Sequence, residues 1–171
     1  MEKVSTARIA LKWGLIYGIL SVLLTTILYN TSLRVNFIIS LMLSISLTFF
    51  ILFFALSEFK SLNNGFMKYS EGLGLGTLTL ATGGILGVFY DFLYKKYIDS
   101  NIISLQLEKA QEQYESMGMS EDQIEKSIEK AQQYNDSGLS FLLAFLIVIF
   151  FGFICSIIMS AILKKDKPFF S

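Results

Sequence analysis

The chain has 171 residues, of which 53% are hydrophobic and only 16% are charged, and its formal net charge is zero. A soluble domain carries about 25% charged residues, so the low value argues against a soluble protein, and the balanced charge gives no general attraction to nucleic acid. The sequence contains no histidine, which excludes histidine-ligated zinc or haem and any catalytic triad that uses histidine.

Four charge-free apolar runs account for the low charge. They lie between Lys12 and Arg34, Arg34 and Glu58, Glu71 and Asp91, and Asp136 and Lys164. Each run is close to or above the roughly 20 residues that a helix needs to cross the hydrocarbon core of a bilayer. Because lipid offers the backbone no hydrogen-bond partners, each run is predicted to be a transmembrane helix. The predicted spans are residues 13–33, 35–57, 72–94 and 139–163, within a single membrane domain that covers residues 1–171.

The first two spans are joined by a tight connection, residues 30–34, so they are predicted to form an antiparallel pair. Residues 58–70 follow as a polar connector, in which Asn63-Asn64-Gly65 is a turn signal. Apolar and aromatic side chains interleave with Lys60 and Lys68 along this connector. Such a mixture favours the boundary between lipid and water, so the connector is predicted to lie in the membrane interface.

The third span carries a regular pattern of small residues. Five of them recur at spacings of four, three, four and four, which places them on one face of a helix: Gly72, Gly76, Thr79, Gly83 and Gly87. Small residues let neighbouring backbones approach closely, and transmembrane helices associate in this way without a hydrophobic driving force. We therefore predict a helix-packing seam, with a substrate path or a hinge as the alternative.

Two acidic residues, Glu71 and Asp91, bound the third span. The two acids are 20 positions apart, which is about 30 Å along a helix, so we expect them at opposite membrane faces. This distance is too large for a catalytic pair. The simplest interpretation is that each acid marks an interface, with Lys95 offsetting the charge of Asp91. The alternative is a site in which Asp91, together with Tyr90 and Tyr94, binds a cation or a basic residue of a partner. Glu71 is a further candidate contact.

The segment 100–137 differs in kind from the spans. The stretch from Asp99 to Asp136 contains nine acidic and three basic residues, a net charge of minus six. Two stripes follow helical spacing, which are Ile103, Leu107, Ala110, Tyr114 and Met117, then Ile124, Ile128, Ala131 and Asn135, with Tyr134 adjacent. The pattern predicts two amphipathic helices.

Two signals place a turn between these helices. Gly118 suits the end of the first helix, and Ser120 with Gln123 three positions later is a capping-box signal for the second. The segment is therefore predicted to be an extramembrane helical hairpin, held by its two stripes and presenting a solvated acidic face. A cation site is the alternative, but the spacing of a calcium loop is absent.

The fourth span is strongly lipophilic, with phenylalanines at five positions between 141 and 153 that are predicted to face lipid or to pack. It contains Cys155, the only cysteine of the chain, which excludes an internal disulfide. This cysteine is expected to pack as a small apolar residue. Three lysines between residues 164 and 167 mark the end of the span.

The distribution of basic residues sets the predicted orientation. An even number of spans places both termini on one side, which holds eight of the Lys and Arg residues, against six on the other. The flanks of the first span differ more clearly, with Lys3, Arg8 and Lys12 before it and Arg34 after it. Both termini are therefore predicted to lie in the cytoplasm and the acidic hairpin outside. The two lysines directly after the third span oppose this assignment.

Several short patterns occur along the chain in a defined order. They are Lys12-Trp13-Gly14-Leu15, the glycine-rich third span, Tyr94-Lys95-Lys96-Tyr97-Ile98-Asp99, Met117-Gly118-Met119-Ser120-Glu121-Asp122-Gln123-Ile124, and Ala161-Ile162-Leu163-Lys164-Lys165 with Pro168. This order resembles the domain-of-unknown-function family 4199, small bacterial membrane proteins with four predicted spans. Family members often have Pro after the Ile-Asp that closes span three, where this chain has Ser100 and Asn101. The join to the hairpin is therefore expected to be less rigid.

The resemblance implies a four-span fold and a location in the bacterial inner membrane, and it implies no activity. Of three classes of function, we expect a non-enzymatic structural or accessory protein that acts through helix packing and its exposed acidic hairpin. A small transporter or channel component is the alternative, although its candidate acids, Glu58, Glu71 and Asp91, sit at span ends where water reaches them. A membrane-embedded enzyme is disfavoured because no span contains histidine or paired acids.

No catalytic residue, metal ligand or cofactor is predicted. The expected partners are the lipid bilayer and either a second copy of the chain or another membrane protein, and no nucleic acid is expected.

Overall fold

The structure is a computed structural model that describes residues 5–31, 36–136 and 139–167. In this part of the chain the regular elements are helices, apart from one isolated backbone pairing between Met67 and Lys165. In chain order they are α1 (Thr6–Tyr29), α2 (Phe37–Leu62), α3 (Tyr69–Leu93), a π-helical turn (Tyr94–Ile98), α4 (Asn101–Ser116), α5 (Glu121–Asp136) and α6 (Leu139–Leu163).

Four of the helices are long and apolar enough to cross a membrane, namely α1, α2, α3 with the π-helical turn that extends it, and α6. The two others, α4 and α5, lie between the third and the fourth of these helices in the chain and form a hairpin. The predicted fold class is thereby confirmed, an all-α four-transmembrane-helix bundle with an amphipathic helical hairpin between spans three and four.

Polar capping residues decide where the first two helices begin. The helix α1 starts well before residue 13, because the Ser5 Oγ accepts a hydrogen bond of 3.4 Å from the Arg8 backbone N–H. At the start of α2, the Asn36 Oδ1 accepts a hydrogen bond of 3.1 Å from the Ile39 N–H in the same manner. The connection at residues 32–35, where the predicted first and second spans meet, lies outside the described residues.

The helix α3 is the centre of the bundle. It packs along α1 and α6 and also contacts α2. In its most apolar stretch 44% of the residues are buried, against at most 17% in each of the other three spans. Gly14 of α1 lies beside Thr82 of α3, and Thr26 lies beside Tyr90, so α1 and α3 run parallel while α2 and α6 run in the opposite direction.

The apolar core lies in the half of the bundle that contains the start of α1 and the end of α6. Its buried residues are Ile9, Ala10, Leu52, Leu56, Phe59, Met67, Leu75, Leu80, Cys155 and Met159. The helix α2 contributes buried residues only from Thr48 onward, so its first three turns lie apart from the core. Cys155 is buried, which agrees with the packing role predicted for it.

The connector between α2 and α3 closes the bundle at this end. It turns at Asn64 and Gly65, where φ is 57° and 81°, which confirms the predicted turn. The backbones of Met67 and Lys165 exchange two hydrogen bonds of 2.9 Å, and the Lys60 Nζ donates to the last carbonyl of α6 at 2.9 Å. The connector is therefore tied to the segment that follows α6.

At the opposite end, the hairpin turns where it was predicted to. Gly118, just after α4, has φ 76°, and the Met119 N–H donates to the Tyr114 carbonyl at 3.2 Å. Helices commonly end in this way, with a glycine in the left-handed conformation. The Ser120 N–H donates to the Gln123 Oε1 at 3.2 Å, which is one half of the predicted capping box.

The two apolar stripes of the hairpin pack only shallowly. Ile102 at the base of α4 and Ile124 in α5 are the buried residues among those described in the hairpin. Met117 is 68% exposed even though it continues the first stripe. Most of the hairpin surface therefore stays open to solvent.

Candidate functional site

The carboxylate of Asp91, in the last turn of α3, is held by two partners. Its Oδ1 accepts a hydrogen bond from the Tyr29 hydroxyl at the end of α1, and its Oδ2 lies 2.9 Å from the Lys95 Nζ. The side chains of Asp91 and Lys95 are 32% and 23% exposed, so the pair lies at the edge of the bundle and not within it. Lys95 fulfils the charge-offsetting role that was predicted from its i,i+4 spacing.

A cluster of tyrosines surrounds this pair and joins α1 to α3. The Tyr90 hydroxyl lies 2.6 Å from the Thr26 Oγ1, and the Asn30 Nδ2 donates to the Tyr94 hydroxyl at 3.1 Å. The ring centroids of Tyr29 and Tyr94 are 5.2 Å apart. Three of the residues predicted from the sequence, Tyr90, Asp91 and Tyr94, therefore come together, and they contact the end of α1.

Tyr29 was not among the predicted site residues, although the sequence holds a signal for it. Odd-numbered spans cross the membrane in the same direction, so the ends of the first and third spans must lie at the same face. Tyr29 ends the first span as Tyr90 and Asp91 end the third. Which of the tyrosines reaches the carboxylate depends on how α1 and α3 cross, and span order alone does not give that angle.

Glu71 lies at the other end of α3 and takes no part in this cluster. Its carboxylate accepts a hydrogen bond of 2.9 Å from the Lys68 backbone N–H, because the first turn of a helix leaves its backbone N–H groups without internal acceptors. The separation from Asp91 along α3 is about 30 Å. The structure thus places the fourth predicted contact residue in a helix cap.

A second ionic cluster closes the end of the bundle near the start of α1. The Lys12 Nζ lies 2.7 Å and 2.9 Å from the two carboxylate oxygens of Glu58, and the Trp13 Nε1 donates to the same carboxylate at 2.7 Å. The Trp13 ring stacks on Phe54 at 5.7 Å between centroids. Glu58 therefore joins α2 to α1 and is fully engaged in doing so.

The small residues of α3 lie where the helices approach most closely. A Cβ atom added to Gly83 would lie 2.3 Å from the Gly14 carbonyl oxygen, and one added to Gly87 would lie 2.7 Å from the Ser21 Oγ, both on α1. Thr79 is fully buried, and its hydroxyl donates to the Leu75 carbonyl at 2.8 Å. At Gly83 the nearest atom belongs to the backbone of α1, so no larger side chain fits there without moving a helix.

The two members of the predicted seam nearest the start of α3, Gly72 and Gly76, contact α6 and not α1. A Cβ atom added to Gly72 would lie 2.9 Å from the Ser160 Oγ, and one added to Gly76 would lie 2.6 Å from the Ser156 Oγ, both on α6. Gly76 and Gly83 are seven positions apart, so they lie within about 20° of each other around α3. One face of α3 therefore meets α6 near its start and α1 further along, so two helices share what was predicted as one face.

Two clefts flank Asp91 at the hairpin end of the bundle. One, of about 450 Å³, lies between α3, α6 and the base of the hairpin, and Asp91 and Lys96 line it. The other, of about 580 Å³, lies between α1, α4 and the exposed first turns of α2, with Tyr29, Asp91 and Lys109 in its walls. Both clefts follow from the position of the core, which lies in the other half of the bundle.

The hairpin carries a groove of its own. An open cavity of about 710 Å³ runs between α4 and α5 near the turn. It is lined by Gln111, Glu115, Met119, Glu121, Ile124, Glu125, Ile128, Glu129 and Gln132. Within the described residues no three Asp, Glu or Cys side chains are placed to hold a metal ion together.

These features define a helical protein with four helices suited to span a membrane and an acidic hairpin between the third and the fourth. A family model described as "Protein of unknown function (DUF4199)" matches residues 12–165. The chain therefore belongs to this family, as the resemblance predicted. No curated protein and no solved structure matches the chain.

Proposed function

We propose that this protein is a non-enzymatic accessory protein of the bacterial inner membrane, whose bundle anchors the hairpin and whose hairpin binds a basic segment of a partner protein. The observation that carries the proposal is the groove between α4 and α5. Its floor contains Ile124 and Ile128, and its rim carries Glu115, Glu121 and Glu125 among others. An apolar floor with an acidic rim fits an amphipathic segment that has apolar residues on one face and Lys or Arg beside them.

The ion pairs within the hairpin support a basic partner segment for the groove. Lys109 lies 2.6 Å from Glu112, and Lys126 lies 2.7 Å from Asp122. Neither of these two acids lines the groove. These two lysines of the hairpin are thus engaged with acids outside the groove, and the groove keeps its negative rim for a partner.

The packing of the bundle supports an anchoring role in preference to transport. The helices α1 and α3 meet at backbone distance around Gly14 and Gly83, which leaves no space between them for a solute. Asp91, the acid nearest to a span interior, has both oxygens engaged by Tyr29 and Lys95. A transport path that used Asp91 would require these contacts to break in every cycle.

The proposed orientation has both termini in the cytoplasm and the hairpin outside. In support, the start of α1 and the end of α6 lie at one end of the bundle, where Lys12 pairs with Glu58 and Lys60 binds the last carbonyl of α6. This end also carries Arg8 and Lys68. Reporter fusions at residue 171 should report the cytoplasm and fusions at residue 118 the outside, and the reverse result would overturn the orientation.

A photocrosslinker at a groove position tests the proposed function in intact cells. With the crosslinker in place of Ile128, we expect one discrete product between this chain and a partner protein. The double variant Glu125→Gln with Glu129→Gln should reduce the product strongly, because it removes two rim charges. The matched control is Glu108→Gln with Glu112→Gln, which has the same spacing and the same loss of charge but lies outside the groove.

Two results would count against the proposed function. Equal loss of product in both double variants would show that the total charge of the hairpin matters and the groove does not. A product that contains two copies of this chain would replace the foreign partner with self-association through the hairpin.

A further inference from the structure

The cleft between α3, α6 and the base of the hairpin has a polarity that changes with depth. Toward the middle of the bundle its walls are Val88 of α3 and Ala144 of α6, and toward the hairpin they are Lys95, Lys96 and Ser100. Val88 and Lys96 are eight positions apart, about 12 Å along the helix axis. The lining thus changes from apolar to cationic along the direction in which a bilayer changes from hydrocarbon to headgroup.

Aromatic rings separate the two parts of this cleft. Phe92 of α3 and Phe141 of α6 both line it, with ring centroids 6.1 Å apart. The ammonium of Lys96 lies 5.5 Å from the centre of the Phe92 ring and 5.6 Å from that of Tyr97. Contacts with neutral rings hold this lysine beside the cleft without neutralising its charge.

Both lysines of the cleft lie on the π-helical turn at Tyr94–Ile98, but their ammonium groups contact different neighbours. The Lys95 Nζ lies 5.9 Å from the centre of the Tyr29 ring of α1, whereas the Lys96 Nζ lies over Phe92, which lines the cleft. Asp91 offsets the charge of Lys95, and a net positive charge remains at the rim.

We propose that this cleft binds a single anionic phospholipid, with the phosphate of the headgroup at Lys96 and an acyl chain along Val88, Phe141 and Ala144. A soluble anion would need only the lysine. The apolar wall that continues below it matches the remainder of a lipid, which is already present at that depth. This site is separate from the hairpin groove and does not depend on it.

Native mass spectrometry of the full-length protein in mild detergent tests the proposal. The protein is mixed with equal amounts of phosphatidylglycerol and phosphatidylcholine that carry the same acyl chains, so that only the headgroup charge differs. We expect one phosphatidylglycerol to be retained in preference to phosphatidylcholine. Lys96→Gln should weaken this retention by about fivefold, as expected for one lysine at a lipid headgroup.

The control is Lys164→Gln, which removes an exposed lysine just after α6, at the other end of the bundle. It should leave the retained phosphatidylglycerol unchanged. Ala144→Leu fills the apolar part of the cleft and should lower the retention of both lipids, whereas Lys96→Gln lowers only that of the anionic lipid.

Three results would overturn the lipid site. They are equal retention of the two lipids by the unmodified protein, equal behaviour of the Lys96 and Lys164 variants, and displacement of the lipid by glycerol phosphate at a concentration similar to that of the lipid. The last result would assign the cleft to a soluble phosphorylated molecule.

Discussion

The helices of the bundle pack at shorter distances than the two helices of the hairpin. Around Gly83 and Gly14, α1 and α3 of the bundle touch backbone to backbone. In the hairpin, α4 and α5 are separated by an open groove of about 710 Å³, with Ile124 as the buried residue near the turn. Lipid is as apolar as any side chain, so helices within it need a close fit to associate. In water a shallow apolar stripe is enough, and it leaves a surface free for a partner.

The largest effect expected from this comparison is in the bundle, at Gly83. Gly83→Leu places a branched side chain where even a Cβ atom would lie 2.3 Å from a carbonyl oxygen. We expect a loss of about 3 kcal/mol or more in the free energy of unfolding, measured by denaturation in mild detergent.

Gly74→Leu is the matched control for this substitution. Gly74 lies on the same helix, and nothing lies within 4 Å of a Cβ atom placed there, so we expect unchanged stability. If the two variants unfolded alike, the close contact between α1 and α3 would not be what stabilises the bundle.

An intermediate effect is expected where the bundle meets the hairpin, at Tyr29. Tyr29→Phe removes the hydroxyl that donates to Asp91 and leaves that carboxylate with Lys95. We expect a loss of about 2 kcal/mol, as for a hydrogen bond to a charged group. The control is Tyr97→Phe, which should leave stability unchanged because Tyr97 is 72% exposed. Equal unfolding of the two variants would show that Lys95 alone holds Asp91.

The smallest effect is expected in the hairpin, at Gly118. This residue has φ 76°, a conformation that costs an L-residue about 1 kcal/mol. Gly118→Ala should therefore speed amide hydrogen exchange in α4 and α5 by roughly fivefold while leaving exchange in α3 unchanged. Glu108→Ala, in the same hairpin, should not speed it. Faster exchange in α3 as well would mean that the bundle and the hairpin open as one unit.

Sequence reasoning predicted the elements better than it predicted their contacts. The four spans follow from charge-free length, and the hairpin turn at Gly118 follows from local capping signals, both of which act within one segment of chain. The site at Asp91 was predicted in part, because Tyr90 and Tyr94 lie on the same stretch of helix. Its partner Tyr29 comes from another span, and Glu71 proved to cap its own helix.

The four membrane-length helices can be predicted from the sequence because the backbone must satisfy its hydrogen bonds locally wherever lipid surrounds it. The amphipathic hairpin can be predicted because helical spacing and capping signals act within one segment. Which residues of different helices meet depends on the tertiary packing. Apolar side chains suit lipid and protein neighbours equally, so hydrophobic periodicity does not show which face of a span packs, and the small residues of α3 mark a face without naming its partner helix. The division of the small residues of α3 between α1 and α6, and the clefts beside Asp91, depend on the angles at which the helices cross.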